Sequence, residues 1–164
     1  MYNILKNNLI IIFNCLIILA GCSSGDESMK SVHLKEFATR YTAAWCSQDP
    51  DSVAGFFAEG GSLKINEAPP TVGRAAIAED ARSFMTALPD MVLTMDGISV
   101  DGNQAIYRWT LSGTNSGPGG TGNKVLISGY EEWTIGTDGL ILESRGHFDE
   151  VEYERQLNVG VQES

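Results

Sequence analysis

The chain has 164 residues, of which 43% are hydrophobic and 20% are charged. This length allows one domain around one hydrophobic core, and the composition is too apolar for a disordered protein. The formal net charge is −10 at pH 7, which disfavours nucleic acid as a partner because an acidic surface repels phosphate backbones.

The N-terminal residues 1–21 have the features of a targeting segment. Lys6 supplies a weakly positive start, and an apolar run follows over residues 9–19. This run is short for a bilayer-spanning helix, which needs about 20 residues. The pattern predicts a signal peptide, with an ordinary secretory leader or an uncleaved membrane anchor as the alternatives.

The run ends in Leu19-Ala20-Gly21-Cys22, which resembles a bacterial lipoprotein processing box. The resemblance implies cleavage before Cys22, acylation of that residue and a polar tether over residues 22–30. Two or more acyl chains anchor a protein stably to a membrane. Ser23 stands where the resembled inner-membrane proteins carry a retention aspartate, so the expected location is the cell envelope, at the outer rather than the inner membrane.

Three helices are predicted in the first half of the chain. Apolar residues at three- and four-residue intervals predict the first over residues 32–47. Its buried face comprises Leu34, Phe37, Ala38, Tyr41, Ala44 and Trp45. Asp49 and Pro50 favour the start of a short second helix, which is expected to reach Gly60-Gly61. A short strand over 62–66 precedes the third helix over 74–88.

The hydrophobic period then changes from helical spacing to alternation. Four strands are predicted, over residues 91–100, 104–114, 124–135 and 140–148. Asp101-Gly102-Asn103 and Thr137-Asp138-Gly139 are favourable hairpin turns. A short helix over 149–158 and a tail over 159–164 complete the chain. Helices followed by antiparallel strands predict one α+β domain over 31–158 with a strongly curved sheet.

Several short motifs in the second half occur in a characteristic order. They are residues 109–114, Thr121-Gly122, Ser128-Gly129, Glu132-Trp133, Asp138-Gly139, Glu143, and 146–149. This order resembles the SnoaL-like branch of the nuclear-transport-factor-like proteins, which includes polyketide cyclases. Over residues 32–158 the resemblance implies a cone-shaped sheet around the N-terminal helices, a ligand pocket and pairing into homodimers. It implies no single activity, because this fold hosts isomerases, hydrolases, cyclases and binders.

The last predicted strand carries a charged row. Period two places Glu143, Arg145, His147 and Asp149 on one side of it. If that side faces the cone interior, His147 and Asp149 lie side by side at the floor of a pocket, and resemblance to the cyclases implies Asp149 as the acid/base. His147 would then be its partner and Arg145 an anion stabiliser. In the alternative, the row is a solvated strand face and Asp149 caps the last helix.

The expected pocket has aromatic walls. The aromatic candidates are Tyr41, Trp45, Tyr107, Trp109 and Trp133, together with Arg108 and the Glu143 side chain. The alternative is that the aromatic residues belong to the core. Neither a zinc-ligand spacing nor a phosphate loop is present in the sequence, so no cofactor or metal is expected. Glu131 and Glu132 are adjacent on one strand, face opposite sides and are not expected to act together.

Two functions therefore stay open from the sequence. The first is a cofactor-independent enzyme that transfers protons on a small apolar carbonyl compound. The second is a non-catalytic, lipid-anchored envelope protein that binds a ligand or a partner. The side of the last strand that is buried decides between the two interpretations of its charged row.

Overall fold

The computed structural model describes residues 24–162, with side chains from Val32 onward. Its helices are α1 (Ser24–Cys46), α2 (Pro50–Ala54), α3 (Arg74–Ala87) and α4 (Glu150–Val159). Its strands are β1 (Phe57–Ile65), β2 (Thr71–Val72), β3 (Val92–Asp101), β4 (Gln104–Thr114), β5 (Lys124–Ile135) and β6 (Ile141–Phe148). The predicted leader and Cys22 lie outside the described residues, so the lipid anchor stays a prediction.

The six strands form one curved, unclosed sheet in the order β2-β1-β6-β5-β4-β3. All neighbouring strands are antiparallel except β1 and β6, which run parallel. One face of the sheet covers α1, whose side chains Ala38 and Tyr41 are completely buried. The predicted α+β class and the curved sheet are confirmed. The parallel pair was not predicted, because periodicity identifies strands but not their partners.

Two helix boundaries differ from the prediction. Helix α1 begins at Ser24 rather than near Val32, and α2 ends at Ala54 instead of continuing to Gly60-Gly61. The chain leaves α2 early because Phe57 starts β1 opposite Ile141 of β6. Burial of Phe57 against the sheet outweighs its helical spacing, as tertiary packing commonly does.

Aromatic side chains fill much of the inner face of the sheet. Tyr41, Tyr107 and Trp133 are completely buried. The Tyr107 ring stacks on Trp133 with centroids 4.8 Å apart, and Tyr41 meets Trp133 edge to face at 5.1 Å. This cluster joins α1 to the middle of the sheet and leaves only a small part of the interior unfilled.

Helix α4 lies across the start of β5. The Gln156 side chain accepts a hydrogen bond from the Leu126 amide (2.6 Å) and donates one to the Leu126 carbonyl (2.9 Å). Its amide group thus pairs with the backbone of β5 as a residue of a neighbouring strand would. Tyr153 of the same helix packs edge to face on Phe148 at 5.7 Å. Within residues 24–162, no helix combines the length and the hydropathy that crossing a membrane requires.

Candidate functional site

The charged row of β6 faces outward. The side chains of Glu143, Arg145 and His147 are 49%, 48% and 37% exposed. The positions between them, Ser144 and Gly146, are buried against the interior. The premise that the row lines the cone is therefore wrong. Neither set of alternating positions in this strand is clearly apolar, so the sequence did not distinguish the two faces.

Asp149 of the predicted acid/base site and Arg108 of the predicted pocket wall also lie away from the interior. Asp149 is exposed, and its Oδ1 accepts a hydrogen bond from the Glu152 amide (2.9 Å), which makes it the N-cap of α4. Arg108 is exposed on the outer face of β4. Because these side chains do not meet in a cavity, the catalytic role expected of Asp149, His147 and Arg145 loses its geometric basis.

A different carboxyl group occupies the inner face. Glu131 of β5 is only 6% exposed. Its Oε2 accepts three hydrogen bonds: from Ser144 Oγ (2.7 Å), from Trp133 Nε1 (2.8 Å) and from the Tyr41 hydroxyl (3.1 Å). Its Oε1 has one longer contact, 3.4 Å from the same hydroxyl. One oxygen is thus saturated with donors, while the other keeps capacity for a further partner.

Burial raises the pKa of the Glu131 carboxyl above its ordinary value of 4.5, although the hydrogen bonds from Trp133, Ser144 and Tyr41 act in the opposite direction. Loss of hydration opposes the charged form, and donors favour it. Burial together with the nearby Glu131 charge holds the pKa of Tyr41 well above its ordinary value. Tyr41 therefore stays a neutral phenol that donates to Glu131. The pKa of the Glu131 carboxyl is therefore shifted toward the pH range in which the group can both take and return a proton.

A cavity of about 60 Å³ lies beside Glu131. Two tryptophans and Gly146 contribute to its lining, and its apolar wall comprises Leu63, Ile65, Phe84, Leu93, Leu111 and Phe148. Trp45 and Trp109, which the sequence placed in a pocket, line this cavity, whereas Tyr41 lies buried behind it and contacts Glu131. We call this cavity the interior pocket.

The two lining tryptophans carry buried N–H groups that have no hydrogen-bond partner among the described residues. The Trp45 N–H is near enough to the Tyr41 hydroxyl to lower the pKa of Tyr41 somewhat, but no hydrogen bond of good geometry joins them. Buried donors are nearly always paired in folded proteins, so these two N–H groups are exceptions.

Gly129 fixes the position of Trp109. The two residues are opposite each other on β5 and β4. A Cβ atom on residue 129 would come within 2.5 Å of Cζ2 of the indole and equally close to the His147 carbonyl oxygen. Only glycine allows this close approach, so the indole lies directly against the β5 backbone.

A larger cavity, about 900 Å³, is an open groove between α1 and the turns that follow β3 and β5. The titratable side chains along it, His33, Arg40 and Asp138, are all exposed. It contains no buried acid or base among the described residues. The smaller interior pocket is therefore the better candidate for chemistry.

Sequence reasoning missed Glu131 because it treated this residue only as half of a pair with Glu132. The prediction that the two face opposite sides is confirmed. A signal was nevertheless present, since Glu131 continues an inward alternation that starts with Val125 and Ile127 and ends with Trp133. A lone acid within an apolar alternation indicates a buried carboxyl group.

The fold and the pocket define an α+β cone protein with a buried carboxyl beside an apolar cavity. The model of the SnoaL-like domain matches residues 38–144, which is more than half of the chain. The protein therefore belongs to the SnoaL-like family, as the sequence motifs predicted. A search of curated proteins finds no match.

Solved structures show the same fold at low sequence identity. A protein from Jannaschia sp. CCS1 described as a SnoaL-like polyketide cyclase is 15% identical, with a TM-score of 0.70 over 79% of this chain and 94% of that one. A Catenulispora acidiphila protein with a ketosteroid isomerase-like fold, in complex with trimethylamine, is 14% identical, with a TM-score of 0.67 over 75% and 92%. The epoxide hydrolase/cyclase-like enzyme SalBIII is 21% identical, with a TM-score of 0.64 over 74% and 95%. At these identities the similarity shows the fold alone.

Proposed function

We propose that the protein is a cofactor-independent acid–base catalyst that acts on a small, mainly apolar carbonyl compound in the interior pocket. The observation that carries this proposal is the arrangement of Glu131, a buried carboxyl with one oxygen held by three donors and the other largely unengaged. Glu131 takes the role that the sequence had suggested for Asp149.

The chemistry follows from the position and the pKa of this carboxyl. A general acid or base works best when its pKa is close to the working pH, and it contributes about 10²–10⁴-fold to rate. Burial moves the pKa of Glu131 in that direction. Its Oε2 is fixed by donors from α1, β5 and β6, so the carboxyl does not need to reorganise when Oε1 exchanges a proton with a bound molecule.

A second candidate function is a non-catalytic ligand-binding protein. The small volume of the interior pocket, about 60 Å³, supports this alternative. The same bonds of Glu131 would then serve mainly to tie α1 to the sheet, because a buried polar network can specify one packing arrangement. Binding without turnover would distinguish this function from catalysis.

The test uses exchange of the α-protons of cyclopentanone in D₂O, followed by ¹H NMR, as the first probe of proton transfer. We expect the wild type to accelerate exchange and Glu131→Gln to lose at least hundredfold of that acceleration. Glu132→Gln is the matched control, since it makes the same chemical change at the next residue, whose side chain lies on the outer face of the sheet. Both variants must retain the wild-type circular dichroism spectrum.

Gly146→Ala provides a control that removes no chemical group. A Cβ atom at residue 146 would meet the Lys64 carbonyl oxygen at 3.6 Å and the Glu131 side chain at 3.8 Å, which are ordinary contacts. The added methyl group occupies part of the interior pocket, so it should weaken ketone binding without unfolding the chain. Equal exchange rates in the wild type and Glu131→Gln would reject the catalytic proposal.

Envelope anchoring is also part of our proposal, based on Leu19-Ala20-Gly21-Cys22 and the residue that follows. Mass spectrometry of the protein from a bacterial host should show an acylated N-terminal Cys22. Cys22→Ser should release the protein from membrane fractions. Separation of inner and outer membranes tests the expected outer-membrane location. Sedimentation of the purified protein tests the expected homodimer.

A further inference from the structure

We propose that the open groove between α1 and the turns after β3 and β5 is a second binding site. It takes a single amphiphilic molecule with an alkyl or aryl body and a carboxylate head group. The body lies on the apolar floor of the groove, and Arg40 binds the carboxylate. None of the described residues that line this groove also lines the interior pocket. The second site is therefore independent of the function proposed for Glu131.

The open groove has the size of a ligand site. Its volume is about 900 Å³, compared with about 60 Å³ for the interior pocket. Cavities that hold small organic ligands typically have volumes of about 300–1,000 Å³. A whole amphiphile of ordinary small-molecule size therefore fits the groove, whereas the interior pocket holds only a small part of such a molecule.

Apolar side chains form the floor of the groove. Phe37 of α1 meets Phe56 edge to face, with ring centroids 5.0 Å apart. Several apolar side chains that line the groove are only partly buried, namely Leu34, Phe56, Val100, Ile135 and Leu140. Apolar surface that gathers at one place and stays in contact with water marks a binding site in many proteins. An alkyl or aryl body that covers this floor removes it from water, which favours binding.

Arg40 supplies a positive charge beside the apolar floor. Other arginines have glutamate partners: Arg82, Arg145 and Arg155 lie 3.4, 3.5 and 2.7 Å from glutamate oxygens. Arg40 has no carboxylate partner in the part of the chain that the structure describes. Its guanidinium stays charged at physiological pH, and its planar fork matches the two oxygens of a carboxylate. A ligand carboxylate therefore provides the partner that the chain itself does not place there.

The other titratable groups along the groove are compatible with an anion at Arg40. Asp138 is the only acid among the described residues that line it. Asp138 forms no ion pair with Arg40, and its Oδ1 accepts a hydrogen bond from the Leu140 amide (3.1 Å) in the turn before β6. His33, about two helical turns before Arg40 on α1, is neutral or positive and does not repel an anion. A cationic amphiphile would meet Arg40 with the same sign of charge, and a neutral one would leave Arg40 unpaired.

The experiment titrates the ¹⁵N-labelled full-length protein with decanoate, 1-decanol and decyltrimethylammonium and follows the backbone amide signals by NMR. Each probe is kept below the concentration at which it forms micelles. The three probes share the alkyl chain and carry an anionic, a neutral and a cationic head group. The amide signals of Gly102, Gly136 and Gly139 report on the groove, because these glycines line it. The Gly146 signal reports on the interior pocket.

We expect decanoate to shift the signals of the groove glycines and to leave Gly146 unchanged. It should bind about fivefold more tightly than 1-decanol, which is the effect of a bidentate ion pair at a partly exposed site. Decyltrimethylammonium should bind more weakly than the alcohol. Arg40→Gln should lower the affinity for decanoate to that for 1-decanol. Arg108→Gln is the matched control, because Arg108 is also exposed but lies on the outer face of β4, and it should leave decanoate binding unchanged.

Three results of these titrations would overturn the inference. They are groove glycine signals that do not respond to decanoate, binding of 1-decanol or decyltrimethylammonium that is as tight as that of decanoate, and equal losses of affinity in Arg40→Gln and Arg108→Gln. A second copy of the chain in the groove would also overturn it. Sedimentation would then show a dimer that Val100→Asp dissociates, and decanoate would not bind. Glu131→Gln should leave decanoate binding unchanged, so failure of the proposed catalysis does not affect these results.

Discussion

The two faces of β5 place neighbouring glutamates in opposite surroundings. Glu131 is 6% exposed and bonded to three uncharged donors. The Glu132 side chain is 42% exposed and lies 3.3 Å from His147 and 3.9 Å from Arg145. The two glutamates are adjacent in sequence, yet Glu131 belongs to a buried hydrogen-bond network on one face of the sheet. Glu132 belongs to a solvent-exposed row of ion pairs on the other face.

This difference shows that charge pattern alone is a poor guide to chemistry. The outer row of charged side chains has more charged groups, and the sequence pattern predicted the acid–base site there. Exposed ion pairs nevertheless contribute little to stability, because water competes for each charge. The inner carboxyl has no charged partner among the described residues. Its burial raises the pKa of Glu131 and gives it the capacity for proton transfer.

The largest expected difference between the two glutamates is in the free energy of unfolding that is lost when each is replaced by alanine. Glu131→Ala leaves the donors of Tyr41, Trp133 and Ser144 without their common acceptor, at a cost of about 1 kcal/mol or more for each. We expect urea unfolding to show a loss of about 3 kcal/mol. Glu132→Ala should change the free energy of unfolding by no more than about 0.5 kcal/mol. Similar losses in both variants would show that the faces do not differ as described.

The two glutamates should also differ in how they make stability depend on pH. The pKa of Glu131 is raised in the folded state, so the unfolded chain releases this proton first as the pH rises above 4.5. The folded state then binds more protons, and the contribution of Glu131 to stability falls with rising pH, by up to about 1.4 kcal/mol per pH unit, until the folded carboxyl ionises. Below that window the contribution is constant.

Unfolding curves at a series of pH values check this expectation. The wild type should lose stability relative to Glu131→Gln as the pH increases from 4.5. Glu132→Gln should follow the wild type over the same range. Parallel curves for the wild type and Glu131→Gln would mean that the pKa of the buried carboxyl is not raised.

Capping by Asp149 gives a smaller effect. Asp149→Ala removes the acceptor of the Glu152 amide at the start of α4 and should cost about 1 kcal/mol. Asp149→Asn should be close to neutral in stability, because asparagine caps helices as well as aspartate does. It should also leave cyclopentanone exchange unchanged. A large loss of exchange in the asparagine variant would return the acid–base role to Asp149.

The smallest effects are expected for the cations of the outer row. Arg145 lies 3.5 Å from Glu143, and both side chains are about half exposed. Arg145→Ala should alter the free energy of unfolding by about 0.5 kcal/mol or less, and even less in high salt. A loss above about 1 kcal/mol that persists in high salt would show that the row is not an ordinary hydrated surface.

Much of the architecture could be predicted from local patterns. Alternation along the strands and the turns at Gly102 and Gly139, both with positive φ, predicted the hairpins correctly. Helical spacing placed Trp45 on the buried face of the first helix. These features depend on neighbours only a few residues away, so the sequence contains the necessary information.

The site was predicted only in part, because its partners are distant in sequence. Tyr41 and Glu131 are separated by 90 positions, and only the packing of α1 against the curved sheet brings them together. Likewise, alternation defined two faces of β6 but not the one that is buried. The register of β6 against β1 and β5 determines this.

Local sequence patterns were thus enough to predict the α+β class, the order of elements and the SnoaL-like family, since backbone propensity and side-chain period are local properties. The burial of Glu131 and the solvent exposure of Glu132 follow from the packing of the folded chain and could not be read from local patterns. Hydration of a carboxyl depends on what other parts of the chain place around it, and that environment sets its chemistry.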